Sequence, residues 1–476
     1  MNILAIDQGT SATKALVVGP GGEVLGSGEV PVHPRSVPGR GVEQDPEELY
    51  SSVIGAGSAA VAQARAPVHA VALANQGETV LAWDRRTGRP LTPAIVWQDR
   101  RSAGICGRLA GSADRLAEIT GLRLDPYFAA PKMTWLRENL TTDGVVSTTD
   151  SWLLARLGAG YLTDAATASR TLLLDLDSAA WSTEACTAFG LDPDSLPEIA
   201  DCAGIVGETT AFGPPLPVAG IAVDQQAALL AEGCLSGGEA KCTYGTGAFL
   251  LATTGPRAAR STGGLSASVA WRLAGMSTYC LDGQVYTAGA AVRWLTEIGL
   301  LDQPADLDAV GGSVPDPGGV IFVPALAGLG APHWRPDVRG TFHGLGLGTS
   351  RAHLVRAVAE GIAASVALLA RSVAADTGVP LAALRVDGGL TRSRLLVQAQ
   401  ADLLQLPVQV CRSPDATALG VAALARLGMG EVASLAEAVW PVEVDWTAEP
   451  ALSEDQAAQR LRRFDSILQA TVAAAG

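Results

Sequence analysis

The chain lacks several features that would place it in a class at once. Lysine occurs only three times in 476 residues, at Lys14, Lys132 and Lys241, and the other 31 basic residues are arginine. Acidic residues outnumber basic ones 48 to 34, a net charge of −14. The clustered positive surface that neutralises nucleic-acid phosphates is therefore missing. Aromatic residues make up 5%, so Ala, Leu and Val must fill most of any core. The seven cysteines (Cys106, Cys186, Cys202, Cys234, Cys242, Cys280 and Cys411) are scattered, odd in number and without a Cys-x-x-Cys pair. That argues against a disulfide framework or a structural zinc, and reduced buried thiols are expected. The start, MNILAIDQGT, has no basic region, and Asp7 interrupts its apolar run, so it does not read as a signal peptide. No stretch approaches the roughly 18 uninterrupted apolar residues of a membrane span. A soluble cytoplasmic protein without membrane or nucleic-acid partners is the expectation.

What is present is apolar material for a core: 48% hydrophobic against 17% charged residues, which excludes intrinsic disorder. The length suits two or three domains, and large ones would make it two. Short apolar runs alternate with longer helical patterns, the mark of an α/β protein. Asn2–Ile6 reads as a strand that passes through QGTSATK and resumes as ALVV, then turns at GPGG into EVLGSGEV. DPEELYSSVIGAGSAAVAQARA follows as a helix opened by Asp45-Pro46. VHAVALAN is the next strand and VLAWDRRTGRPL a turn-linked pair. CTYGTGAFLLATTG repeats the strand, Gly-Thr turn and strand of the N-terminus, and LRVDGGL repeats an apolar strand ending in Asp. Two related domains facing each other follow, 1–235 and 236–476, with the boundary near LAEGCLSGGEAK. The tail after Leu427 is expected to be mostly helical and to pack on one of them.

Four segments carry chemistry: DQGTSATK (7–14), VDQQA (223–227), YGTG (244–247) and VDGGLTRS (386–393). Asp7, Asp224 and Asp387 each follow an apolar run, and ligands of α/β folds sit beyond the carboxyl ends of such strands. Glycine lets backbone N–H groups approach an anion, and the neighbouring Thr adds a donor. Singly, each segment is more often an ordinary turn. Their matched strand contexts in both halves favour a phosphate-binding cleft. No GxxxxGK[ST] is present, no GxGxxG follows the first strand, and no Gly-x-Ser-x-Gly elbow appears. The five histidines show no metalloprotease spacing, and His333 and His343 read as solvated loop residues.

These segments resemble the FGGY family of carbohydrate kinases, most closely its glycerol-kinase branch. DQGTSATK is similar to the first phosphate motif, YGTG to the second, and VDGG to the adenosine motif. NQGETVLAWDRRTGRPLTPAIVWQDRRS, GLRLDPYFAAPKMTW, GIAVDQQAAL, FVPALAGLGAPHW and GTFHGLGLGTSRAHLVRAVAE are similar to further family segments, in order from residue 2 to about 425. The resemblance implies two ribonuclease-H-like domains of the actin and hexokinase type around a nucleotide cleft. It implies ATP and Mg²⁺ as cofactors, a small polyol as substrate, and it admits a homo-oligomer, a dimer or a tetramer.

Carried over residue by residue, Thr10, Ser11, Ala12 and Lys14 meet the phosphates, and Asp7 holds Mg²⁺ through water. Thr246, Gly289 and Gly389 contact the nucleotide, as do Arg293 and Ser393, which replace a family Gln and Asn. Asp224 matches the catalytic base, which accepts the alcohol proton during in-line transfer. Gln225, Glu78 and Tyr127 match hydroxyl-binding positions, and Trp97 and Phe249 an apolar wall. Plain core packing competes for Trp97 and Phe249, and a surface salt bridge for Glu78.

Two departures stand out. Lys14 replaces an Arg and loses its bidentate fork. Gly77 replaces the Arg that grips two hydroxyls in glycerol kinases, a gap that an arginine from elsewhere could fill. The expected reaction is phosphorylation of glycerol. The alternatives are a longer polyol or ketose such as erythritol or xylulose, or a non-kinase ATPase of the same fold. Xylulokinases carry a Met-His pair near Gly77-Glu78 that is missing here. The short loop FGPPLPVAG lacks the Gly-Gly-Thr-Arg element that binds fructose bisphosphate in some relatives, so that regulation is not expected.

Overall fold

The computed structural model describes residues 1–412 and 415–475. Ile3–Gln8 (β1) and Ala12–Val18 (β2) pair antiparallel around a turn in which the Gly9 N–H donates to the Ala12 carbonyl, 3.0 Å. Val24–Pro31 (β3) extends this meander antiparallel to β2. Helix Pro46–Ala64 (α1) then covers it. Its start is set by Pro46 and by the Asp45 carboxylate, which accepts from the Glu47 N–H. Gly28 permits the close approach, since a Cβ there would lie 2.3 Å from the Ala56 carbonyl oxygen. Ala70–Asn75 (β4) joins parallel to β1, and Leu216–Val223 (β6) parallel to β4, with Ala203–Thr209 (β5) antiparallel at the edge. The sheet order is β5-β6-β4-β1-β2-β3. Asp224–Ala231 (α2) leaves the end of β6.

The second half repeats the plan. Ala240–Tyr244 (β7), Ala248–Gly255 (β8), Ser266–Leu273 (β9) and Met276–Val285 (β10) form an antiparallel group. Helix Arg351–Thr377 (α3) packs over β8 and β10. Leu384–Asp387 (β11) and Val408–Cys411 (β12) then add parallel to β7, and Val444–Ala448 (β13) closes the sheet antiparallel. The order is β9-β10-β8-β7-β11-β12-β13. Each half therefore has a central strand with an antiparallel meander on one side, two parallel strands on the other, and an antiparallel edge. This is the two-domain α/β architecture expected of the sequence. α3 is long and apolar enough to cross a membrane by composition alone, but its apolar residues form the middle of the second core.

Two features refine the sequence reading. The tail after Leu427 is not purely helical: β13 caps the open edge of β12 before Glu454–Ala474 (α5) packs on the second core. An unpaired parallel edge is a liability, and the β-forming run VDWTA relieves it. Ala416–Gly428 (α4) belongs to the second half by sequence, yet it lies on β1, β4 and β6 of the first sheet and against α2. Glycines make the crossing possible. A Cβ on Gly420 would sit 1.8 Å from the Ala227 carbonyl oxygen, and one on Gly220 2.6 Å from that of Val421. A separate five-stranded sheet, built from Arg35–Val37 and Gly41–Gln44 ahead of α1 and from Ala94–Ile95, Val80–Trp83 and Val145–Thr148 between β4 and β5, overhangs the first domain with its helices.

Candidate active site

Parallel strands align their carboxyl ends, and here that brings chemistry together. Asp7 stands opposite Ala74, with Gln8 opposite Asn75 and Val223 also opposite Asn75. The segments that leave β1, β4 and β6 therefore emerge side by side, carrying Thr10 and Ser11, Gly77 and Glu78, and Asp224 and Gln225. They open on a cavity of about 710 Å³ whose far wall comes from β8 and β10 of the second domain. Phe249 is registered opposite Gln284 and Leu251 opposite Asp282, so all four side chains share the cavity face of that sheet.

Of the residues expected at the site, Thr10, Ser11, Gly77, Glu78, Trp97, Tyr127, Asp224, Gln225, Thr246 and Phe249 line this cavity. Trp97 meets Tyr127 and Phe249 edge-on, with ring centroids 5.7 and 6.4 Å apart, and forms an apolar wall. The Trp97 indole N–H also donates to the Thr10 hydroxyl at 3.0 Å, tying the wall to the turn between β1 and β2. Glu78 is buried and adopts φ 57°. Such a backbone is uncommon for a non-glycine residue, and strain of this kind concentrates at functional sites.

Asp7, Ala12, Lys14, Gly289, Arg293, Gly389 and Ser393 are not on the cavity wall. Asp7 is within electrostatic reach of Asp224 and Asp415, and Lys14 pairs with Asp415. Gly289 packs on the second turn, where its N–H donates to the Gly245 carbonyl at 3.0 Å and a Cβ would lie 2.5 Å from that oxygen. Gly389 faces open space, with nothing within 4 Å of an added Cβ. Arg293 is exposed on helix Gly289–Glu297. Ser393 caps the helix Arg394–Leu404, accepting from the Leu396 N–H, and its hydroxyl also bonds Asp308. His333 is half-buried rather than fully solvated, and burial lowers its pKa.

The three lysines each brace a site element. Lys14 bonds Asp415. Lys132 donates to the carbonyls of Pro126, Tyr127 and Phe128, which holds the Tyr127 turn, and burial pushes its pKa down to about 7. Lys241 donates to the Gln225 side chain at 2.8 Å and to the Thr243 hydroxyl at 2.7 Å.

The carboxylates are tuned by burial and by one another. Burial, then the negative Glu78, pushes the Asp224 carboxyl up to about 6, while the Gln225 N–H donates to it at 2.7 Å. Burial, then Asp224, pushes Asp7 up to about 7, with Lys14 pulling the other way. A carboxylate poised near neutrality inside a cavity is suited to proton transfer.

Sequence reasoning missed Arg170, Asp282 and Gln284. Arg170 donates from Nε to Glu78 at 2.7 Å and from Nη1 to Asp282 at 2.5 Å, and all three side chains are buried. The Glu78 and Asp282 carboxyls are raised by burial and lowered by Arg170. A charge inside an apolar run was the available signal, in ATASRTLLLDL and in YCLDGQV, because charged groups are rarely buried unless paired.

Residues 2–231 match the N-terminal domain of the FGGY family of carbohydrate kinases, and residues 240–429 match its C-terminal domain. Over 479 residues the chain is 44% identical to a glycerol kinase of Alkalilimnicola ehrlichii, covering 96% of each chain. Over 446 residues it is 45% identical to one of Thermus brockianus, covering 90% of each. Among solved structures it is similar to Plasmodium falciparum glycerol kinase with ADP, at 30% identity and a TM-score of 0.93, covering 99% of this chain and 98% of that one.

Proposed function

The chain belongs to the FGGY family of carbohydrate kinases, and on that premise we propose that it transfers the γ-phosphoryl group of ATP to a terminal hydroxyl of glycerol. The observation that carries this reading is Asp224, a carboxylate tuned to about 6 that opens into a cavity shared with the hydroxyl-binding candidates Glu78, Tyr127 and Gln225. The Asp224 carboxylate takes the proton of the attacking hydroxyl as its oxygen bonds to phosphorus. The bond from phosphorus to the bridging oxygen breaks, and ADP leaves. Trp97 and Phe249 back the carbon chain, and their exclusion of water protects the phosphoryl group from hydrolysis.

Thr10, Ser11, Ala12 and Lys14 on the first turn and Thr246 on the second are assigned to the phosphates. Gly289, Arg293, Gly389 and Ser393 are assigned to the nucleoside side. Mg²⁺ is assigned to Asp7. Oxygen ligands and a net negative field from Asp224 and Asp415 suit a hard cation. Among the described residues no three His, Cys, Asp or Glu side chains form a metal site. That fits an ion held by one or two carboxylates, waters and the nucleotide's own phosphates. The ion supplies neutralisation of phosphate charge. A cytoplasmic enzyme, with domains at 1–235 and 236–476 and able to form dimers or tetramers, completes the proposal.

The test couples ADP release to a panel of polyols. Release that depends on glycerol is the expected result. Turnover independent of any polyol would mark a plain ATPase and overturn the kinase reading.

A further inference from the structure

We infer that Lys241 is a positioning residue for the polyol: it holds the Gln225 amide with its oxygen turned inward, so that Gln225 meets the substrate as a hydrogen-bond donor. The inference rests on the cavity being the polyol site and on Asp224 being the base. Lys241 is fully buried and is not on the cavity wall. It lies on the same face of the second sheet as that wall, because on β7 it is registered opposite Leu251, and Thr243 opposite Phe249, both cavity residues of β8. Gln225, in the first turn of α2, meets it there. Lys241 Nζ donates to Gln225 Oε1 at 2.8 Å and to the Thr243 hydroxyl at 2.7 Å.

An ammonium has donors only, so the Gln225 atom that faces it is the oxygen. Flipping the amide would set its NH₂ against the ammonium and leave Lys241 with the Thr243 hydroxyl alone. Nε2 is therefore the end left over. It makes no hydrogen bond to the protein among the described residues and is not an enclosed atom, and Gln225 lines the cavity, so a ligand there can reach it. A hydroxyl that accepts from Nε2 sends its own proton to another acceptor. The neighbouring one is Asp224, whose Oδ1 already accepts from the Gln225 backbone N–H at 2.7 Å, leaving Oδ2 for the hydroxyl. One buried lysine thus sets the direction of the hydroxyl proton, towards the base. A buried cation needs charged neighbours, and Lys241 has Glu232 and Asp224 within electrostatic reach.

The experiment measures kcat, the KM for glycerol and the KM for ATP in the wild type, Lys241→Met, Lys241→Gln and Gln225→Glu, with folding followed by circular dichroism. Lys241→Met keeps the stem and removes the donor. It should raise the glycerol KM by about tenfold, the worth of one hydrogen bond, and leave the ATP KM within about twofold. Lys241→Gln, which keeps an N–H donor without the charge, should fall between wild type and Lys241→Met. Gln225→Glu still accepts from Lys241 but offers the polyol no donor, and it should raise the glycerol KM at least as much as Lys241→Met. An unchanged glycerol KM in the Lys241 variants, or equal increases in both KM values, would make Lys241 a prop of the second core and would overturn the inference. So would a Gln225→Glu enzyme with the glycerol KM of the wild type, whether or not the Lys241 variants fold. A wild type that phosphorylates no polyol would instead remove the kinase reading beneath it.

Discussion

Asp224→Asn keeps the side-chain volume and the bond from the Gln225 N–H, but an amide cannot take a proton. Turnover should fall by roughly 10²–10⁴, the usual worth of general-base catalysis, while ATP binding, followed by calorimetry, persists. The pH profile carries the same assignment. Burial and Glu78 raise the folded pKa to about 6, and only the deprotonated form acts as a base. kcat/KM, which reports the free enzyme, should therefore fall tenfold per unit as pH drops below about 6. A limb that stays near 4 would show that Asp224 is not the titrating group. At the same scale, the gap at Gly77 has a counterpart. Arg170, 93 positions further along the chain, brings a guanidinium onto Glu78 beside it.

The element that joins the halves is the crossing of α2 and α4. Helix propensity alone would make Gly420→Ala stabilising by about 1 kcal/mol. Packing opposes it, because the new Cβ would have to fit where the Ala227 carbonyl oxygen stands 1.8 Å away. A backbone atom cannot swing aside as a side-chain tip can, so the steric effect wins. Gly420→Ala should be net destabilising by about 1–3 kcal/mol in urea unfolding, in the range of overpacked cores. An unchanged or raised midpoint would show that α2 and α4 can separate freely. This crossing also holds α4, which belongs to the second half by sequence, over the first sheet.

For the whole molecule, the two domains meet across the cavity and are tied by side-chain bonds such as Arg170 to Asp282, by backbone bonds such as Ala267 N–H to the Gly121 carbonyl at 2.9 Å and Cys202 N–H to the Arg272 carbonyl at 2.8 Å, and by the glycine-lined α2–α4 crossing. Kinases of this layout gain by excluding water once both substrates are in place. Small-angle scattering with glycerol and a non-hydrolysable ATP analogue should give a smaller radius of gyration than the free protein. An identical radius would argue against a hinge at the crossing.

Local pattern was enough to read the strand, Gly-Thr turn and strand of each half, the Asp residues at strand ends, and the family. All of these are short-range signals, set by side-chain period and by what a tight turn tolerates. Ten of the expected site residues indeed line one cavity. β13 escaped because its partner β12 lies more than thirty residues away. The hydrogen-bonded chain Glu78–Arg170–Asp282–Gln284 escaped for a related reason. Glu78 was expected at the site from the resemblance, but its partners come from two other distant segments, where Arg170, Asp282 and Gln284 were legible only as polar residues in apolar runs. Burial makes such residues pair, but which ones meet depends on how the two sheets face each other, and no local pattern carries that information. Composition and period determined that there would be two such sheets and where their Gly-Thr turns lay. The tertiary packing alone decided which charges met across the cleft.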